Sequence, residues 1–437
     1  MSEELPVRVV QDPSRYFTAL PDEMAQGPDI VVSLDVLAGE RIRARLYGPA
    51  VPSEYGTEHR ADLTARPADV RAAAARLCRL WKELLVGYTP PRGNLPAVEY
   101  PYASLVDLRS RPPGEQWEIV EELALAGKQL LFGILLGGSD PRVHRFGAYL
   151  AQALSGREGL RVRFDSELYL PWTMVCLRPD DVPVPTGTLR HQDPMTVYPR
   201  FLGYRHQIEQ TGGAYPCLSR RREVPDVLAV SLNHDTRLDR KDQTRAAEVA
   251  ALLAKGTDFV ERTTRSELRR ALSDAGLREH LMYFWCHGDF IPNGAHRPSL
   301  ALRLTDRTAM VDAHTVRECR QHVEEGSPFQ PFVMLNACHA AMPAEGGDPA
   351  FLGVALIQAG AQGVLGPQIE MPQVFAAEYA LEFLTRYLRG SQTAGAISCA
   401  VARYFADELH NPLGIAYTLH CGMDARLERA ESAESFT

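Results

Sequence analysis

Two apolar runs in this chain end in residues able to do nucleophilic chemistry. Residues 281–286 (LMYFWC) lead into His287-Gly288-Asp289, and residues 332–337 (FVMLNA) lead into Cys338-His339. A free thiol has a pKa near about 8.5, so only a few per cent is thiolate at neutral pH. An imidazole within hydrogen-bond reach, directly or through one water, can take that proton and later return it to a leaving amine. Cys338 and His287 therefore read as the nucleophile and the general acid/base of an acyl transfer. The developing oxyanion needs donors, for which the backbone N–H groups of Cys338 and Gly288 are candidates. A glycine there also lets a substrate backbone come close.

Blander readings apply to the neighbours. Cys286 is still inside its apolar run and reads as core. The Cys-His dipeptides 286–287 and 338–339 could suggest zinc, but adjacent strand residues face opposite ways, so each dipeptide offers one ligand. No metal is expected. His339 reads as a solvent-side neighbour, with a substrate contact as the alternative, and Trp172, in Leu-Pro-Trp, as a packing anchor.

The elements that must bring thiol and imidazole together follow from periodicity. From residue 224 strands and helices alternate. Strands are expected at 227–233, 257–262, 281–286, 332–337 and 363–366, and helices at 243–256, 264–276, 313–325, 355–360, 373–389 and 393–409. The helix over 264–276 is expected to open on a polar turn from Ser266 to Arg270. This pattern predicts a parallel sheet with helices on both faces, and the strands lack alternation because both of their sides are covered. Ligands of such sheets bind beyond the carboxyl ends of the strands. Neighbouring strands lie about 4.8 Å apart, so residues just past two adjacent ends are within side-chain reach.

Ahead of that region, residues 29–48 read as two β-runs around a turn at Gly39. Residues 66–87 read as an amphipathic helix with Val70, Ala74, Leu77, Trp81 and Leu84 on one face. Helices follow over 115–137 and 140–156, the second opened by Asp140 as cap and Pro141 at its first position, and then a strand over 159–165. The fold class is α/β. The expected organisation is a β-rich region with one helix (1–90), a second unit (91–223), a regular α/β unit (224–423) and a polar tail (424–437).

Bulk properties narrow the function. The 437 residues carry a net charge of −8, which disfavours nucleic acid as the main partner. The basic run Ser219-Arg220-Arg221-Arg222 reads as a solvated loop. No apolar run reaches the roughly 20 residues of a membrane span. The acidic N-terminus lacks the apolar segment of an export signal, so the expected compartment is the cytoplasm. The 8 cysteines are scattered without a CxxC pair, which argues against a disulfide framework or a zinc ribbon. No glycine-rich phosphate loop follows an early strand.

The segments LMYFWCHGDF (281–290), FVMLNACHAA (332–341), LIQAGAQGVLG (356–366) and NPLGIAYTLHCG (411–422) resemble the CHAT family of caspase-like proteins. LRVRFDSELYLPWTMV (160–175) and FLGYRHQIEQ (201–210) are similar to its upstream segments. That family shares a clan with caspases, metacaspases and separases, and the resemblance covers roughly residues 28–423. His287 precedes Cys338 by 51 residues. In caspases the histidine lies about 50 residues ahead of a Q-A-C motif, and here the local sequence is Asn336-Ala337-Cys338. The sequence departs from the family pattern at Ala340 and Ala341, and in lacking a tryptophan after Gly366.

The resemblance implies a caspase-like fold in which residues 116–223 form a degenerate half ahead of the catalytic one. It places the family's dyad on His287 and Cys338. It further implies hydrolysis of a peptide bond in a protein substrate, no metal or organic cofactor, a bacterial role in defence or programmed cell death, and activation by a sensor or partner. The competing expectation is a catalytically silent caspase-like scaffold. In the caspase-like layout the specificity pocket draws on three places, which here hold His234-Asp235, Asn336 and Gln368 to Glu370, with Asp235, Asn336 and Glu370 as the candidate contacts. None carries a fixed positive charge and two are carboxylates, so a preference for Arg or Lys before the scissile bond is one expectation. Acids that merely cap helices are the other.

Overall fold

The computed structural model describes residues 27–52, 58–89, 100–182, 193–212, 226–239, 243–293, 296–306, 310–323, 328–337 and 352–427. The first strands form an antiparallel meander of β1 (Ile30–Leu37), β2 (Arg41–Tyr47) and β3 (His59–Leu63). Gly39 and Glu40 turn β1 into β2 with φ of 78° and 57°, the left-handed backbone that matches the twist of a tight hairpin. Helix α1 (Pro67–Trp81) buries Val70, Ala74, Leu77 and Trp81, and runs on into a π-helical turn at Lys82–Val86. After the short α2 (Pro101–Ser104), α3 (Pro113–Lys128) leads to α4 (Pro141–Gly156), whose cap Asp140 accepts from the Arg142 N–H at 2.8 Å. Strand β4 (Arg161–Ser166), the short α5 (Leu202–Arg205) and β5 (Gln207–Thr211) complete this portion.

The regular portion contains β6 (Leu228–His234), α6 (Ala246–Ala254), β7 (Thr257–Arg262), α7 (Arg265–Ser273) and β8 (Leu281–Trp285). A hairpin of β9 (His287–Asn293) and β10 (His296–Arg303) follows, then β11 (Val311–Asp312) and α8 (Ala313–Arg320). Next come β12 (Phe332–Asn336), α9 (Leu352–Gln358), β13 (Gly363–Pro367), α10 (Gln373–Tyr387), α11 (Ala394–Leu409) and β14 (Tyr417–His420).

All but three of these strands join one eleven-stranded sheet in the order β3-β2-β1-β4-β5-β14-β13-β12-β8-β6-β7. Its pairs are parallel except within the β1–β3 meander and between β13 and β14. Strands β9, β10 and β11 form a separate small sheet. The fold is thus a mixed α/β architecture around a large, mostly parallel sheet.

The central strands show why their sequences lack alternation. On β8, Leu281, Tyr283 and Trp285 enter one core with α6, α10 and α11, while Met282, Phe284 and the following Cys286 enter a second with α7, α8 and α9. On β12, Phe332 and Met334 share the first core, and Val333 and Leu335 the second. Both faces are buried, so the run is apolar on both sides up to Asn336.

The structure also departs from expectation. Helix α7 is capped by Thr264, whose side chain accepts from the Glu267 N–H while Glu267 reaches back, a capping box in place of the expected Ser266 turn. The stretch after residue 286, expected as a loop, is the β9–β10 hairpin. Pro292 and Pro298 weaken its strand signal. Strands β5 and β14 were not expected. The buried carboxylate of β5 is satisfied internally: Glu209 accepts from Arg163 at 2.6 Å and from the Met423 N–H at 2.9 Å.

Candidate active site

Four parallel strands deliver the candidate residues to one rim. In the ladders, His234 of β6 pairs with Trp285 of β8, and Trp285 pairs with Asn336 of β12. On the far side, Met334 of β12 pairs with Leu365 of β13. Asp235, Cys286 and Ala337 are therefore the next residues past three level strand ends, and the segment bearing Glu370 leaves the fourth.

His287 is exposed. It opens β9 opposite Arg303 of β10, and Gly288 pairs with Leu302. Asp289 forms a half-exposed ion pair with Arg303 at 2.8 Å. Cys286 is buried in the second core, as its place in the apolar run suggested. Cys338, and with it the second oxyanion donor and His339, lies outside the described residues. Its neighbour Ala337, the residue after β12, is buried.

Asp235 is fully buried, and its carboxylate accepts from Arg237 Nε at 2.6 Å, Nη2 at 2.5 Å and the backbone N–H at 3.1 Å. Its own N–H donates to the Trp285 carbonyl at 2.9 Å. Burial alone would raise this carboxyl, but its hydrogen bonds and ion pair with Arg237 and, least, the nearness of His287 hold it below the ordinary range. The structure thus brings Asp235 and His287 into one electrostatic neighbourhood. One residue earlier, the buried His234 is bracketed by Asp239 at 3.0 Å from Nδ1 and Glu261 at 2.7 Å from Nε2. Burial works against its cationic form, yet the two carboxylates outweigh that and raise its pKa.

Asn336 is buried, and its amide is used inside the protein. Nδ2 donates to the Ala376 carbonyl at 2.7 Å and to the Tyr283 hydroxyl at 3.2 Å, while the Tyr417 hydroxyl donates to Oδ1 at 2.8 Å. Burial pushes the Tyr283 hydroxyl up, keeping it neutral. Glu370 pairs with Lys82 at 2.5 Å, both side chains half exposed. It borders a cleft of about 260 Å³ with Val86, Thr244, Met371 and Gln373. Of the three residues expected in a specificity pocket, Asp235 and Glu370 are thus ion-paired within the chain and Asn336 is hydrogen-bonded into the core.

Sequence reasoning missed the contacts that lock this rim. Arg237 Nη2 donates to the Leu304 carbonyl at 3.3 Å, and the Thr236 N–H donates to Thr305 Oγ1 at 2.9 Å. Only the Asp-x-Arg spacing of 235–237 hinted at them. Among the described residues, no group of three or more His, Cys, Asp or Glu side chains could hold a metal ion. No described helix is long and apolar enough to cross a membrane.

Residues 146–414 match the family model of the CHAT domain. A comparison with curated proteins finds no match. Among solved structures, the chain is similar to one in the Saccharomyces cerevisiae separase–securin complex at 3.0 Å resolution. The identity is 10% and the TM-score 0.45, covering 90% of this chain and 30% of that one. It is also similar to the complex of the pro- and mature domains of Porphyromonas gingivalis RgpB, at 12% identity with a TM-score of 0.40, covering 71% of this chain and 75% of that one. The chain thus spans under a third of the separase-complex chain that it matches.

Proposed function

The chain belongs to the CHAT domain family, and from that premise we propose that it is a cysteine endopeptidase with Cys338 as nucleophile and His287 as general acid/base. The observation that carries this reading is the parallel register of β8 and β12, in which Trp285 pairs with Asn336. Those two strands end level, and in sequence His287 and Cys338 are each the second residue after such an end. The exposed His287 is open to substrate.

In this reading His287 takes the Cys338 thiol proton, and the thiolate attacks the carbonyl carbon of the scissile peptide bond. The oxyanion is held by the N–H groups of Gly288 and Cys338. The imidazolium then protonates the leaving amine as the C–N bond breaks. Water, deprotonated by His287, hydrolyses the thioester and restores the thiol. None of these steps needs a metal or an organic cofactor.

The family extends the proposal to a protein substrate and an activating sensor or partner, in bacterial defence or regulated cell death within the cytoplasm. The competing role is a silent scaffold. Cleavage decides between them. Wild-type protein and Cys338→Ala are expressed in a bacterial host with the candidate sensor from the same gene neighbourhood, and new protein N-termini are mapped by mass spectrometry. The peptidase reading expects N-termini that appear only with the wild type. Identical N-terminal maps, with both proteins folded, would overturn it.

A further inference from the structure

We infer that Arg237 is a positioning residue that fixes the orientation of His287 by clamping the small three-stranded sheet onto the carboxyl end of β6. This rests on the peptidase reading above. His287 does not belong to the main sheet. It opens β9, whose strand pairing among the described residues lies within the sheet β11-β10-β9, and it follows β8 after Cys286. Its orientation at the rim therefore depends on what holds the small sheet.

Leu300, Leu302 and Val311 pack the small sheet into the second core, and Arg265 Nε donates to the Met310 carbonyl at 3.0 Å. The polar hold nearest His287 lies just beyond β10, whose last residue, Arg303, pairs with His287. Arg237 Nη2 donates to the carbonyl of the next residue, Leu304, at 3.3 Å. The same guanidinium is gripped by Asp235 at 2.6 and 2.5 Å, and the Asp235 N–H is fixed on the Trp285 carbonyl at 2.9 Å. The contacts thus close a ring from Trp285 through Asp235, Arg237, Leu304 and Arg303 back to His287, two residues after Trp285.

Thr305 closes the same junction a second time. Its Oγ1 accepts from the Thr236 N–H at 2.9 Å and donates to the His234 carbonyl at 3.4 Å, and its N–H donates to the Thr263 carbonyl at 2.9 Å. Asp235 is fully buried, whereas the Arg237 side chain is 30% exposed. A guanidinium bridging a buried carboxylate and a carbonyl suits a fork of fixed geometry, which lysine does not supply.

The full-length protein provides the test, through the rate at which iodoacetamide alkylates Cys338 between pH 5 and pH 10, read at the Cys338 peptide by mass spectrometry. A thiolate stabilised by His287 gives the wild type a rate plateau below the ordinary thiol pKa. Arg237→Gln is expected to lower that plateau roughly tenfold, the worth of one pKa unit of lost thiolate stabilisation. Arg237→Lys should recover only part of it, and Thr305→Val should act in the same direction. If Arg237→Gln does not fold, Thr305→Val decides. Folded Arg237→Gln or Thr305→Val with a wild-type plateau overturns the clamp and leaves the dyad standing. A wild type without any plateau, unaltered by His287→Ala, overturns the peptidase reading and the clamp with it.

Discussion

Replacing Asn336 by alanine removes an amide that ties β12 to β8, β14 and α10. The Tyr283 hydroxyl loses its donor at 3.2 Å and the Tyr417 hydroxyl its acceptor at 2.8 Å, both in the buried core. Each buried hydroxyl that loses a partner costs about 1–1.5 kcal/mol. The small void left by the amide adds to this, so Asn336→Ala is expected to destabilise by roughly 3 kcal/mol. Tyr283→Phe, which deletes one partner and leaves the Asn336–Ala376 bond, should cost about 1 kcal/mol. In the double variant the Tyr283 hydroxyl is already gone, so the two costs should fall short of their sum by roughly 1 kcal/mol. Urea unfolding measures all four proteins, with tryptophan fluorescence and far-ultraviolet circular dichroism as probes and free energies read where the two transitions coincide. Costs that add to within about 0.3 kcal/mol would show that the two side chains act independently and refute the network.

Two further outcomes follow from the same coordinates. The folded-state pKa of His234 is raised, so its ion pairs stabilise fully below the unfolded value of about 6.5 and fade as pH climbs through the higher folded value. The thermal midpoint of wild type should exceed that of His234→Gln by more at pH 6 than at pH 9; a gap independent of pH contradicts this. Gly363 faces the β14 exit so closely that a Cβ would lie 2.7 Å from the Cys421 carbonyl oxygen. Gly363→Ala should therefore destabilise by about 1–3 kcal/mol, and an unchanged urea midpoint would show that the strands part without cost.

What the sequence disclosed and what it hid have the same cause. Strands β6, β8 and β12 are covered on both faces, so their apolar runs announce themselves, and with them the two ends where His287 and Cys338 follow. Strand β5 hides because its polar Glu209 finds partners inside the protein, and a satisfied polar group looks in sequence like a solvated one. Glu209 is 2% exposed, yet it is paired with Arg163. Asp235 shows the same ambiguity at the rim. A carboxylate after a strand can await a substrate cation or hold a cation of its own chain, and only the fold reveals Arg237 against it. Asn336 was legible as a residue two before Cys338, but not as the anchor of three hydrogen bonds, because Tyr283, Ala376 and Tyr417 are remote in the chain.

The central claim is that one thiol and one imidazole, 51 residues apart in sequence, meet at a single rim. The direct measurement is bridging with 1,3-dibromoacetone, whose two alkylating carbons join a cysteine sulfur to a histidine nitrogen only when the two are adjacent. Mass spectrometry of the digested adduct should find the Cys338 and His287 peptides joined through one three-carbon bridge, absent from His287→Ala. Alkylation of Cys338 that never bridges to His287, in protein that remains folded, would contradict the account.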